Sequence, residues 1–487
     1  MRKVLLYLAG PCALLILFAG LALGWYRNAF DAGEFKAENV MAHVEELSSA
    51  KYAGRLAGTA GNELALMYVE QRLREIGVAP AGDKGTYYQN FKSMIPLFKS
   101  EPHFQVRNQR GSVVREYAHG IDYLEVMNNY GRGGRLEGSL LFLAKDISMY
   151  EPRELKDQII VRPGLMDKDI AYAIDNGVKG ILILTANGEG QLVRQAISIS
   201  AKQGGTVPIL ALTEAGFQTL EEYARQGLQV DINLDVAYQT VETPNLLGKI
   251  EGQDKNSVVI ISAHIDHVGS TFSGRYFPGA LDGASGVGML LELARVMKAQ
   301  NIVPEKTVLF AVWNSQEYGM NGSRYYVEHP LYPLDKTQVL VLNLLGGNKS
   351  NGVILDSSGK LGKVYTGKLA QFFAQNGMGA RETLDGRGDD HAPFLTKGVP
   401  SVRVTSNLNT AYSQSLGNLH TYNDNVDSID AGPIQFIGLG LLEYIQAEIY
   451  QDVYPRYLTF ADKLFLALYA LGLAWIYVIY TLNKINP

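Results

Sequence analysis

The sequence is poor in cysteine and in charged residues. Its only cysteine is Cys12, so a scaffold held together by disulfides is excluded. Only 19% of the residues are charged, and 44 basic residues nearly balance 49 acidic ones. Because nucleic-acid binding normally needs a concentrated basic surface, nucleic acid is not an expected partner. The 487 residues, 47% of them hydrophobic, predict two or three folded units rather than a long disordered chain.

Charged side chains are absent from one long run near each end of the chain. Residues 4–26 and 464–483 are uncharged and long enough for helices that cross a hydrocarbon layer of about 30 Å. A cleaved signal peptide is the alternative for the first run, and a buried core helix is the alternative for the second. We interpret them as transmembrane helices within units 1–30 and 453–487, which would make the membrane a partner. Arg2, Lys3 and Lys484 would then place the main domain outside the cytoplasm.

Three blocks of different character lie between these runs. Residues 31–95 contain a helical pattern, in which apolar side chains recur at helical spacing within 62–76 and stop before Gly77. Residues 96–243 consist of short β-like runs separated by polar turns, which predicts an inserted β-rich domain. Residues 244–452 alternate strand-like runs, at 258–263, 307–313 and 338–344, with helical patterns. That alternation predicts a layered α/β domain.

Histidines and carboxylates stand where strands of this α/β block are expected to end. His264 and Asp266 follow the first predicted strand, Glu317 follows the second, Asp282 precedes a predicted helix and His420 lies in a late loop. Carboxyl ends of strands share one edge of an open sheet, and imidazole and carboxylate groups are good zinc ligands. Asp266 is spaced to hold the second ring nitrogen of His264. Each residue taken singly could equally be a surface or capping group, so the pattern alone leaves a metal site and structural roles both open.

The same residues stand in ordered motifs that resemble those of metallopeptidase family twenty-eight. The matching stretches are Gly54-Arg55-Leu56-Ala57-Gly58-Thr59, His264-Ile265-Asp266-His267, Gly279-Ala280-Leu281-Asp282-Gly283-Ala284-Ser285-Gly286, Glu317-Tyr318-Gly319, Asp390-His391-Ala392-Pro393-Phe394 and His420-Thr421. The resemblance implies an aminopeptidase-like α/β fold with a mixed central sheet flanked by helices. It also implies that 96–243 is a β-rich protease-associated domain, inserted between 31–95 and 244–452. The predicted fold class adds a transmembrane helix at each end.

The resemblance also implies roles for individual residues. His264 would bind one zinc ion, Asp282 would bridge two ions, and Glu317 and His420 would hold the other. Asp266 would support the site from behind the ligands. The reaction would be removal of the first residue from the N-terminus of a peptide or protein, with a glutamate adjacent to Glu317 accepting a proton from water.

Two positions depart from the family pattern. Gln316 stands where the family has the general-base glutamate, and an amide cannot take up a proton as a carboxylate does. Leu345 stands where we expect an aspartate ligand after the third strand. His267 and Asp390 are nearby candidates for a substitute base, although the pattern favours His267 as a supporting or surface residue. Gln316 and Asp266 are therefore the predicted catalytic positions, and catalysis is expected to be impaired because Gln316 cannot act as the base.

The remaining ligands lead to two hypotheses about function. Asp282, Glu317 and His420 are enough for a single zinc ion, so the sequence predicts one ion, or none, rather than two. The first hypothesis is a membrane-anchored metallo-aminopeptidase that acts slowly outside the cytoplasm on peptide N-termini. The second is an inactive peptidase homologue that binds a peptide or a protein. A transporter-like role is disfavoured, because neither uncharged run contains an intramembrane charge.

Overall fold

The computed structural model describes residues 32–128, 130–184, 191–194, 207–347, 352–375, 377–406 and 417–450. A mixed sheet of nine strands forms its centre. The middle strands are parallel and rich in apolar residues, because both of their faces are covered. In spatial order the strands are Ala79–Pro80, Val236–Ile250, Lys306–Trp313, Asp254–His264, Thr337–Leu342, Ser401–Ser406, Gly352–Asp356 and Gly379–Thr383, with Tyr88–Phe98 paired to Val236–Ile250. The predicted mixed sheet is confirmed.

Helices cover both faces of this sheet. One face packs against Ala37–Leu47, Ala60–Ile76, Ser285–Ala299, Gly359–Gln375 and Ala431–Glu448. The other face packs against Asn321–Glu328 and His391–Thr396. The predicted helix 62–76 is confirmed, and Gly77 ends it in a left-handed conformation with φ 85°. Gly286 lets the helix Ser285–Ala299 approach the sheet closely, since a Cβ there would lie 2.1 Å from the carbonyl oxygen of Leu342.

Two smaller sheets are built from residues 103–234, within the predicted insert 96–243. One contains Leu140–Phe142, Ile159–Pro163, Gly180–Leu184, Val207–Leu212 and Tyr123–Glu125, with Gly131–Arg132 beside Val207–Leu212. The other contains Val113–Tyr117, His103–Arg107, Gln229–Leu234 and Gly134–Gly138. The α-helices among the described residues of this region are Pro152–Leu155, Asp167–Asp175 and Glu214–Arg225. A separate apolar cluster lies between the two sheets, with members such as Phe104, Leu182 and Ile232.

A long antiparallel pair of strands connects the insert to the central sheet. Tyr88–Phe98 and Val236–Ile250 pair without interruption from Val236 opposite Phe98 to Leu246 opposite Tyr88. The predicted boundaries at 95/96 and 243/244 both fall within these two strands. Those boundaries, like the others between the predicted units, stay a prediction.

One part of the predicted fold class requires correction, namely the transmembrane helix at each end. Among the residues that the structure describes, no helix is both long enough and apolar enough to cross a membrane. The longest of these helices, Ala431–Glu448, has 18 residues and packs against the central sheet. The units 1–30 and 453–487, to which the two transmembrane helices were assigned, lie outside the described residues.

Candidate metal centre

The site lies at the carboxyl edge of the central sheet, where each chemically active side chain follows a strand or precedes a helix. His264 is the last residue of the strand Asp254–His264, and Glu317 comes four residues after the strand Lys306–Trp313. Asp282 lies in the turn before the helix Ser285–Ala299. His420 belongs to the late loop and has a left-handed backbone with φ 58°. The structure therefore brings His264, Asp282, Glu317 and His420 together.

Four side chains form a compact donor cluster, which we call the acidic cluster: His267, Asp282, Glu317 and His420. One ligand atom from each lies within 4.8 Å of the corresponding atoms of the others. Nε2 of His420 is 3.1 Å from Oδ2 of Asp282 and 3.2 Å from Oε2 of Glu317. Nδ1 of His267 is 2.9 Å from Oε1 of Glu317. All except the half-buried His420 are buried.

A second group of donors meets the opposite oxygen of Asp282. Nε2 of His264 is 3.1 Å from Oδ1 of Asp282 and 3.2 Å from Oδ1 of Asn343. The side-chain amide of Asn343 donates to Oδ2 of Asp389 over 2.9 Å. Because a carboxylate oxygen only accepts, this bond turns the carbonyl oxygen of Asn343 towards His264. Asp282 is thus shared by two donor groups, with one carboxylate oxygen facing each.

Asn343, and not Leu345, faces the site after the third strand. That strand ends at Leu342, so Asn343 is the first residue beyond it. The side chain of Leu345 is fully buried in the apolar core, while its backbone N–H donates to Oγ of Ser285 over 3.0 Å. The expectation that Leu345 occupies the position of the missing ligand is therefore wrong. The position holds an amide oxygen instead of a carboxylate.

Two buried aspartates accept hydrogen bonds from the backbone of the segments that carry Glu317 and Asp282. The carboxylate of Asp266 accepts the N–H groups of Gln316 and Glu317 over 2.9 and 3.2 Å. Asp424 accepts the N–H groups of Leu281 and Asp282 over 2.7 and 3.2 Å. Asp266 supports the site as expected, but by a different contact.

Asp266 contacts the ring of His264 through its backbone carbonyl, and not through its carboxylate as predicted. The partner of Nδ1 of His264 is the backbone carbonyl of Asp266 at 3.1 Å, while its nearest carboxylate oxygen is 3.9 Å away. The carboxylate already accepts two backbone N–H groups, which fixes its direction.

Burial and mutual charge shift the pKa values across the cluster. Burial disfavours the charged rings of His264 and His420, but Asp282 for the first and Glu317 for the second outweigh it and raise both pKa values. Burial also works against the ionised form of Glu317, yet the charge of His420 prevails and lowers the pKa to about 2. Burial lowers the pKa of His267, which favours the neutral ring that ligates metals.

A buried arginine supplies positive charge behind the cluster. Arg55 is fully buried and donates to the carbonyl oxygens of Ile265, Pro278 and Gly279 over 2.7 to 2.8 Å, and to that of Leu47 over 2.6 Å. Burial lowers its pKa to about 10, which still leaves it charged at neutral pH. These bonds hold together the two loops that carry His267 and Asp282.

The candidates for proton transfer lie in different surroundings. Gln316 is half-buried and directly precedes Glu317 in the chain. Of the two substitutes suggested for it, His267 is a member of the acidic cluster. Asp390 is buried, is not part of the cluster and accepts a hydrogen bond from the hydroxyl of Ser323. Burial raises the pKa of Asp390 to about 8.

The acidic cluster fits a zinc ion. Ligand atoms placed tetrahedrally about 2.0–2.2 Å from zinc lie roughly 3.3 Å apart. The observed separations of 3.1 and 3.2 Å from Nε2 of His420 to the two carboxylates match this. Nδ1 of His267 is the ring nitrogen that faces the cluster, 2.9 Å from Oε1 of Glu317 and 4.0 Å from Oδ2 of Asp282. Two imidazoles and two carboxylates form a donor set that zinc accepts.

Sequence reasoning missed Asn343 and Asp389, and gave His267 no ligand role. A histidine in a loop is usually structural, which is why His267 was considered only as a substitute base or a supporting residue. The available signal for Asn343 was its position as the first polar residue after a buried strand, the same position that singled out His264 and Asp266.

Comparisons with known proteins agree with this geometry. Residues 245–445 match the model of peptidase family M28. An aminopeptidase of Pseudomonas aeruginosa is 24% identical over 391 residues, which are 75% of this chain and 69% of that protein. Leupeptin-inactivating enzyme 1 of Streptomyces exfoliatus is 27% identical over 217 residues, 42% of this chain. The match covers 46% of the length of that enzyme.

A solved structure has the same fold over most of its length. It is a zinc aminopeptidase from Bacillus subtilis, with a TM-score of 0.66 at 19% identity, and the match covers 86% of this chain and 96% of that one. The aminopeptidase-like α/β fold is thereby shown. Residues 245–445 match the family that the motifs of the sequence resemble, so that resemblance is confirmed over this part of the chain.

Proposed function

We propose that this chain is a zinc-dependent aminopeptidase with impaired proton transfer. The observation that carries the proposal is the acidic cluster, in which one donor atom from each of four side chains lies within 4.8 Å of the others. His267, Asp282, Glu317 and His420 would hold the ion, which would take a fifth ligand when it contacts water or a peptide carbonyl, as catalytic zinc sites sometimes do. Bound zinc would supply Lewis-acid chemistry to a peptide carbonyl and to water.

The number of ions follows from the two donor groups around Asp282. The acidic cluster would hold one zinc ion tightly. His264, Asn343 and the other oxygen of Asp282 would hold a second ion more weakly, because the amide of Asn343 brings no charge where a carboxylate would. We therefore expect one tightly held ion per chain, as the sequence predicts, with a second at higher zinc concentration.

Gln316 is the cause of the expected impairment. Its amide can accept a hydrogen bond from water and so orient it, but it cannot take up the proton. General-base assistance typically contributes about 10²–10⁴ in rate, equivalent to roughly 3–5 kcal/mol of barrier. The proposed substrate is a peptide with a free N-terminus, as the names of the aminopeptidase relatives suggest.

The test uses the full chain and a panel of aminoacyl-anilide substrates. We expect slow release of the anilide, which stops after zinc is removed by a chelator and returns when zinc is added. The same activity should be absent from His420→Ala. Turnover that persists after complete removal of zinc would contradict the proposal.

A second candidate function is favoured by Gln316 alone: an inactive homologue that binds a peptide. In that case the zinc-loaded chain would show no turnover, but would bind a peptide with a free N-terminus more tightly than its N-acetylated form. Turnover by the wild type that is lost in His420→Ala removes this candidate.

A further inference from the structure

Arg194 belongs to the insert, but its contacts lie around the metal centre. Its side chain is buried, and Nη1 donates to the carbonyl oxygens of Val268 and Ser270 over 3.2 and 2.7 Å. Both carbonyls belong to the segment that directly follows His267. The backbone N–H of Arg194 donates to the carbonyl oxygen of His420 over 2.9 Å. One residue of the insert therefore touches the chain next to two members of the acidic cluster.

Glu125 holds the guanidinium of Arg194 in place. Nε of Arg194 donates to Oε1 of Glu125 over 3.0 Å, and Nη2 donates to the same oxygen. The other oxygen of Glu125 is 2.7 Å from Nε2 of His119. Both charged side chains are buried, so each depends on the other for compensation of its charge. The rings of Phe98 and Phe277 lie 5.9 and 5.3 Å from the guanidinium carbon.

The backbone conformation of His420 requires stabilising contacts from elsewhere in the chain. Its φ of 58° is a left-handed conformation that a residue with a Cβ adopts at an energetic cost. The hydrogen bond from Arg194 to the His420 carbonyl is one contact that fixes the peptide plane following that residue. The side chain of Arg194 in turn anchors the backbone that makes this bond.

We propose that Arg194 is a positioning residue, which sets the placement of His420 and His267 and so the zinc affinity of the acidic cluster. Glu125 is its partner. The insert then contributes to metal binding without supplying a ligand. This inference rests on the proposed zinc site, and both Arg194 and Glu125 lie outside the region 245–445 matched by the family model.

The test compares zinc dissociation constants in full-length variants, measured by competition with a chromophoric chelator. The main variant is Arg194→Met with Glu125→Met, which removes both charges together and leaves neither buried alone. The second variant is Glu125→Gln, which keeps an acceptor oxygen for Arg194 but removes the charge that compensates it. The matched control is Asp231→Asn, because Asp231 is also a buried carboxylate of the insert, and its ion pairs are with Arg107, Arg135 and His103, all within the insert.

We expect zinc binding to weaken about 10–100-fold in the double variant, the range typical of residues that orient metal ligands. Glu125→Gln should weaken it in the same direction by a smaller factor. Asp231→Asn should lower Tm but leave the zinc dissociation constant within twofold of wild type. With Co²⁺ as a probe, the visible spectrum should change in the Arg194 and Glu125 variants and not in the control.

Unchanged zinc affinity and an unchanged Co²⁺ spectrum in folded Arg194 and Glu125 variants would overturn the inference, even if their Tm fell. An equal loss of affinity in Asp231→Asn would also overturn it, since general destabilisation of the insert would then be the cause. A wild-type chain that binds no zinc would instead contradict the proposed function, so the two failures are distinguishable.

Discussion

Asn343 donates its side-chain amide to Asp389 over 2.9 Å and presents its carbonyl oxygen to His264 at 3.2 Å. Because the carboxylate of Asp389 accepts hydrogen bonds, the NH2 group of the Asn343 amide must face it, and this fixes the orientation of the amide. The position after the third strand therefore still offers an oxygen to a cation, but without the charge of an aspartate. The residue at that position is therefore Asn343, and not the apolar Leu345.

Exchanging Asn343 and Asp389 should raise the zinc affinity of the second donor group, which consists of His264, Asn343 and Oδ1 of Asp282. In Asn343→Asp with Asp389→Asn, the hydrogen bond between the residues is kept with its direction reversed, and the carboxylate moves next to His264. We expect a second zinc ion to bind more tightly than in wild type, as measured by titration of the metal-free chain. No change in the second binding step would contradict the ligand role of Asn343.

Leu345→Asp is the contrasting variant. It would place a carboxylate in the apolar core, where an unpaired charge costs about 3–5 kcal/mol of folding free energy. We expect a large fall in Tm or a failure to fold, with no gain in zinc binding. A stable Leu345→Asp chain with a second tight zinc ion would show that Leu345 does face the site.

Gln316→Glu should raise activity, because it restores a group that can accept a proton beside the acidic cluster. The expected gain in kcat is about 10²–10⁴-fold, with KM changed far less. Gln109→Glu is the matched control, since Gln109 is exposed in a turn of the insert and undergoes the same change of charge. A Gln316→Glu chain that binds zinc yet is no faster than wild type would contradict the assignment of Gln316 to the base position.

Acid should destabilise the wild type partly through Glu125. Burial opposes its ionised form, but the charge of Arg194 outweighs burial and lowers the pKa to about 2 from an ordinary 4.5. The unfolded chain therefore takes up this proton at higher pH than the folded chain does. The stabilisation is complete above about pH 4.5 and is lost as the pH falls towards 2.

Glu125→Gln lacks this contribution. Between pH 5.5 and 3 the wild type should lose about 2 kcal/mol more free energy of unfolding than the variant, as measured by urea unfolding. Exposed Glu116→Gln, also in the insert, should follow the wild type. Parallel curves for wild type and Glu125→Gln would contradict a lowered pKa at Glu125.

Local pattern was enough to predict most strands and helices around the site. Continuous apolar runs correspond to the strands Asp254–His264 and Lys306–Trp313, and the turn before Ser285–Ala299 carries Asp282 as expected. These elements have a clear period and polar residues at their ends. The carboxyl-edge rule then brought the predicted ligands together.

The errors arose where local pattern does not fix the end of an element. The apolar run at 338–344 suggested a strand that ends two residues later than Thr337–Leu342, and that difference placed Leu345 instead of Asn343 directly after it. The contacts of Arg194 could not be predicted either. Its partners Glu125, Val268 and Ser270 are about 70 residues away along the chain, and only the folded structure brings them together.

Zinc binding by the metal-free full chain tests the central claim most directly. We predict one zinc ion bound tightly per chain. In His420→Ala the loss of affinity should exceed the roughly 10–100-fold that is typical of a supporting residue, because a ligand itself is removed. A wild-type chain that binds no zinc, or a His420→Ala chain that binds it equally well, would contradict the account.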